Sequence, residues 1–161
     1  MQLIRLAIIF FVTFATFTGF ANEENLSDAE NNYDQGQVFY EDGKFNAAAE
    51  KFSKAITQSP DDSRYHHWLA KTYGELAETS GWLKAIRLAG KSKDSLKRAV
   101  ELDPENIRAL TDLMKYYQEA PMFLGGSNKK AKEISIRLEE LEKKNTHSFD
   151  NHHVITVERN S

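Results

Sequence analysis

Three histidines near the C-terminus, His147, His152 and His153, are the residues of this chain whose type suits a metal ion. A metal site needs ligands that converge from fixed positions. His152 and His153 are adjacent and cannot share one helical face, and neither an HExxH pattern nor a cysteine accompanies them, so no metal is expected. Glu139, Glu140 and Glu142 run around a helix among Lys143 and Lys144, the pattern of solvent-facing ion pairs and not of a general acid and base. Gly125-Gly126-Ser127 would offer backbone N–H groups to an anion, but it lacks P-loop spacing, and Ser127 is placed to cap the helix that follows. There is no G-x-S-x-G elbow, Walker loop or dinucleotide fingerprint, so neither a catalytic residue nor a cofactor is expected and the chain does not read as an enzyme.

Two further segments carry exposed chemistry. From Lys84 to Arg98 there are six positive charges against the single Asp94, with Trp82, Leu83, Ile86 and Leu88 nearby. A basic amphipathic helix of this kind can lie on anionic lipid. The favoured expectation is a lengthened helix with a solvated charged face, its Trp82 covering a gap in the packing. Pro121 and the two glycines mark a loop, and Met122, Phe123 and Leu124 within it either fold back onto the stack, the favoured expectation, or form an apolar contact patch.

The elements that must position these groups follow from composition and periodicity. The chain has 161 residues, 40% hydrophobic and 28% charged, enough for one packed domain. A formal net charge of -3 gives no overall basicity, so nucleic acid is not an expected partner. The absence of cysteine excludes disulfides and thiolate chemistry. Residues 1–21 stand apart: Arg5 precedes an apolar run from Leu6 to Ala21, with Gly19 and Ala21 two apart before a polar segment. That is the outline of a signal peptide cleaved after Ala21, since the sixteen-residue run is shorter than the roughly 20 residues that span a bilayer. Residues 22–30 are expected to be a linker, and residues 146–161, polar except for Val154 to Val157, a flexible tail.

Between them lies a repeat. Gly36, Phe39, Ala48, Phe52, Ala55 and Pro60 stand at intervals of 3, 9, 4, 3 and 5 residues, with Gly43 breaking two helices and Asn46 placed to cap the second. His66, Leu69, Ala70 and Tyr73 begin a second unit whose aromatic lies 34 residues after Phe39. Its second helix arrives ten residues late: Ser92, Leu96, Ala99 and Pro104 repeat the 4, 3 and 5 spacing. Leu110, Leu113, Met114 and Tyr117 open a third unit, and Ala131, Ile134, Leu138 and Leu141 continue it after a connection five residues longer than the first.

This small-x2-aromatic and Ala-x3-Phe pattern at a 34-residue period resembles the tetratricopeptide repeat (TPR), and its two lengthened connections resemble those of small bacterial exported TPR proteins. The resemblance implies an all-α fold, a right-handed superhelical stack of three helix-turn-helix hairpins over 31–62, 63–105 and 106–145. It also implies a non-catalytic scaffold that binds a polypeptide on the concave face lined by the first helix of each hairpin. Helical spacing places Tyr33, Gln37 and Tyr40 on that face from the first unit, Arg64, His67 and Lys71 from the second, and Arg108, Thr111 and Lys115 from the third. Four of these nine are Arg or Lys and none is acidic, which would favour an acidic segment or a free carboxylate. With export, the expected setting is periplasmic or secreted, as an adaptor in the bacterial envelope. The rival reading is a membrane-associated assembly factor, held by an uncleaved N-terminal helix or by the basic segment 84–98.

Overall fold

The computed structural model describes the main chain of residues 26–158 and the side chains as far as residue 146. Residues 1–25, and with them the expected signal peptide, lie outside the described residues. Among the described residues six α-helices follow one another: α1 over 26–41, α2 (Phe45–Gln58), α3 (Ser63–Glu78), α4 (Trp82–Leu102), α5 (Ile107–Glu119) and α6 (Asn128–Glu158). A single 3-10 turn, Met122–Leu124, interrupts the connection from α5 to α6. The expected all-α stack of three helical hairpins is the architecture.

Local chemistry sets the helix ends. Gly43, with φ of 72°, turns α1 into α2, and the Lys44 amide donates to the Phe39 carbonyl at 2.8 Å to close the turn. Asn46 does not cap α2. The tight turn starts the helix at Phe45, with Lys44 at the cap position and no side chain engaged there. Asp62 caps α3 by accepting from the Arg64 amide, and Asn106 caps α5 by accepting from the Ala109 amide. Pro60 and Pro104 follow the ends of α2 and α4, where no helix can continue through them. Ser127 accepts from the Lys130 amide at 3.3 Å, capping α6 as its position predicts.

The repeated residues are the core. Ala48, Phe52 and Ala55 are fully buried, and Gly36 lets α1 approach α2 so closely that a Cβ there would stand 2.6 Å from the Phe52 ring. Burying Phe52 contributes about 2–3 kcal/mol, and its ring also meets Trp68 of the next hairpin at 5.9 Å. A second cluster joins Ala70, Leu96, Leu113, Tyr117 and Ala131. Between hairpin partners, the Ser63 hydroxyl donates to the Ala99 carbonyl and the Ser92 hydroxyl to the Ala70 carbonyl.

These pairings make α3 and α4 antiparallel, as the close approach of Tyr117 to Lys130 and of Glu105 to Lys144 does for α5 and α6. Contacts between first helices run the other way. Glu30 meets Tyr65 and Tyr40 meets Glu75, so α1 and α3 are parallel, and Ser63 with Asn106 and His67 with Asp112 set α5 parallel to α3. The three connections within hairpins therefore lie along one edge of the stack, and the two between hairpins along the opposite edge.

Both lengthened connections fall on that first edge. The ten-residue insertion becomes helix: α4 has 21 residues where α2 has 14. Trp82 does not cover a gap but stands 72% exposed at the start of α4. Met122 and Phe123 likewise do not fold back; on the 3-10 turn between α5 and α6 they are 87% and 77% exposed. At the termini of the repeat region, α1 is helical from residue 26, with Ala29 fully buried, and α6 runs on to Glu158 through the segment read as a tail. Among the described residues no helix is long and apolar enough to cross a membrane.

Candidate functional site

Because α1, α3 and α5 are parallel, residues at matching turns line one continuous face. Two clefts open on it. The first, of about 360 Å³, is lined by Tyr33, Arg64, His67, Trp68, Asn106 and Arg108 among others. The second, of about 240 Å³, takes Tyr40 from α1, Lys71, Glu75 and Glu78 from α3, and Asp112 and Lys115 from α5. Seven of the nine residues expected on the concave face line these clefts, while Gln37 and Thr111 line neither.

Their roles divide sharply. Tyr33 is buried, its ring 5.0 Å from Tyr65, and its hydroxyl accepts from Gln37 Nε2 at 3.1 Å. Thr111 turns its hydroxyl back to the Ile107 carbonyl at 2.8 Å. Arg64 is fully engaged: it forks onto Glu30 at 3.0 Å through both terminal nitrogens and binds Asp62 at 2.6 Å. The Asp62 and Glu30 contacts push the Arg64 guanidinium pKa up, and the same hydrogen bonds from Arg64 and Tyr65 hold the Glu30 carboxyl below the usual range.

His67 is also buried, with Nε2 2.7 Å from Asp112 Oδ2. Burial pushes the Asp112 carboxyl up, but the hydrogen bond and charge of His67, with the charges of Lys115 and Lys71, outweigh it and leave the group below the ordinary aspartate value. Tyr40 donates to Glu75 Oε1 at 3.0 Å, and burial together with that bond pushes its phenol up to about 12.

Three cations remain. Lys71 lies 4.3 Å from the centre of the Trp68 ring and 5.2 Å from that of Tyr40, and Arg108 and Lys115 are exposed. Among the described residues none of the three has a carboxylate oxygen within ion-pair distance. The face is thus not basic overall, because six acids share it: Glu75, Glu78, Asp112 and Glu119 line one cleft and Asp103 and Glu105 the other. Helical spacing carried the signal for two of these acids: Asp112 follows Arg108 by four residues, and Glu75 follows Lys71 by four. Trp68 and Asn106 line the first cleft as well, and nothing in the sequence pattern singles them out. The metal-type histidines His147, His152 and His153 lie where side chains are outside the described residues.

A family described as TPR repeat matches residues 36–76, from the second half of α1 to near the end of α3. No curated protein matches the chain. Among solved structures, the second TPR of Spaghetti (RPAP3), bound to HSP90 peptide SRMEEVD, is 21% identical and superimposes with a TM-score of 0.59, covering 75% of this chain and 97% of that domain. The human IFIT1 dimer with PPP-AAAA gives 23% identity and a TM-score of 0.57 over 64% of this chain, which spans only 23% of the IFIT1 chain. Residues 36–76 thus match a tetratricopeptide repeat, and the helical stack shares its fold with the second TPR of Spaghetti.

Proposed function

We propose that this protein is a non-catalytic interaction module that holds an extended polypeptide across the parallel helices α1, α3 and α5. The observation that carries the reading is the set of three cations, Lys71, Arg108 and Lys115, distributed over the two clefts with no internal ion-pair partner among the described residues. Cations left unpaired beside aromatic walls form charge-assisted hydrogen bonds with carboxylates, so the favoured ligand carries acidic side chains or a free C-terminus. A solved domain of this fold is bound to a peptide, SRMEEVD, with three acidic side chains. The apolar run from Leu6 to Ala21, ending in small residues, supports export and an adaptor role in a bacterial envelope.

The test is a fluorescence-polarisation titration of the protein with extended peptides that differ only in acidic content. Acidic peptides are expected to bind in a salt-sensitive manner. Replacing Lys71, Arg108 and Lys115 together by Ala should weaken them at least about tenfold, roughly 1.4 kcal/mol. Equal affinity for neutral and acidic peptides, or an unaffected triple variant, would sink the reading.

A further inference from the structure

We infer that the edge carrying the two lengthened connections is a docking surface for an anionic lipid bilayer, separate from the concave face. Four large apolar side chains protrude there: Trp82 and Leu83 at 72% and 64% exposure, and Met122 and Phe123 at 87% and 77%. Scattered exposed apolar residues are ordinary. Both pairs lie on the lengthened connections, which the parallel arrangement of α1, α3 and α5 brings to one side of the stack; the 3-10 turn packs against α4, with Gly125 beside Lys93, about 16 Å along the helix from Trp82.

Nor is the 121–126 loop loose. The amides of Leu124 and Gly126 donate to the Pro121 carbonyl, the Gly125 amide to the Met122 carbonyl, and Tyr116 holds the Leu124 carbonyl with its hydroxyl at 2.9 Å. Gly125 has a φ of 93°, and a Cβ on Gly126 would stand 1.7 Å from the Ala120 carbonyl oxygen. A backbone tied this closely, with its apolar tip in solvent, presents that tip rigidly.

Charge and shape select the occupant. Lys84, Arg87 and Lys91 are exposed on the first turns of α4, and among the described residues none has a carboxylate at ion-pair distance. The acids of this edge are Glu41 and Asp42 of the first hairpin, with Asp42 tied to Lys44, and Glu78 and Glu119, which line the concave cleft. The apolar residues stand out as projections and do not form a groove. A protein partner must supply matching hollows for such projections, whereas the interfacial layer of a bilayer deforms around them and anionic headgroups neutralise the flanking cations.

Trp82 provides the readout. It and Trp68 are the only tryptophans, and Trp68 is packed between Tyr40 and Phe52. The full chain is mixed with vesicles of phosphatidylcholine alone or with phosphatidylglycerol, each doped with brominated lipid. Trp82 emission should shift to the blue and be quenched only with the anionic vesicles, and Trp82→Phe should remove that signal. Met122→Ser with Phe123→Ser should lower the partition at least about tenfold. Lys84→Glu, Arg87→Glu and Lys91→Glu together should abolish the preference for anionic lipid. All these positions are exposed, and far-UV circular dichroism checks that the helices persist. An unquenched Trp82 on a vesicle-bound chain would overturn the inference, because binding would then run through another segment. Trp82 emission that depends on protein concentration without lipid would overturn it too, in favour of contact between copies. Lys71, Arg108 and Lys115 are outside this surface, so its failure leaves peptide capture untouched.

Discussion

His67 Nε2 lies 2.7 Å from Asp112 Oδ2, a polar tie between the first helices of the second and third hairpins at the floor of the proposed binding face. Because His67 is buried, Asp112→Ala leaves its ring without that partner, at a cost of about 1–3 kcal/mol. The Asp112 pKa is depressed below 3.8 in the folded chain, so its stabilisation is fully present above the unfolded value and is lost as pH falls through the folded one. Urea denaturation should therefore show a difference between the native protein and Asp112→Ala that is full at pH 7 and shrinks as the medium is acidified below pH ~4.

Gly36→Ala pits two effects against each other. A helical alanine gains up to about 1 kcal/mol over glycine, but its Cβ would meet the Phe52 ring at 2.6 Å, and Phe52 is fully buried with no room to swing. Overpacking of this kind costs about 1–3 kcal/mol, so a net loss is expected. The midpoint of denaturation should fall with an unchanged slope; a raised midpoint would mean that the two helices can move apart.

Arg64→Ala separates stability from binding. Its ion pairs with Glu30 and Asp62 are largely exposed, so the loss of stability should be below about 1 kcal/mol. The Glu30 carboxyl should titrate closer to its ordinary value by NMR. Peptide affinity should hold, because this guanidinium is already engaged.

Gly126→Ala should be severe for its size. The obstacle at 1.7 Å is a backbone oxygen, which cannot rotate aside. The loop must reopen, with a loss of roughly 2 kcal/mol or more. Amide exchange at Ser127, whose N–H donates to the Tyr117 carbonyl at 2.8 Å, should accelerate far more than exchange in α3.

The core was readable because the residue types that close-packed hairpins demand recur at fixed intervals: Ala48, Phe52 and Ala55, then Ser92, Leu96 and Ala99, are all buried. Side-chain partners were not. Whether Arg64 faces a ligand or Glu30 depends on a register of 34 residues between α1 and α3, which pattern alone does not fix. Trp82 and Phe123 were misplaced for a related reason. Hydrophobicity argues for burial wherever a surface exists to receive it, and only the path of the backbone shows that the stack ends before these two residues. Asn46 failed over a single turn, where the Gly43 geometry started α2 ahead of it.

The alignment of α1, α3 and α5 is set by ties such as Glu30 to Tyr65, Tyr40 to Glu75 and Ser63 to Asn106, none of which involves the inserted residues. The molecule therefore has a fixed spine and a variable fringe. Residues trimmed from or grafted into the fringe alter what the protein meets at that side while the spacing of its binding turns is conserved.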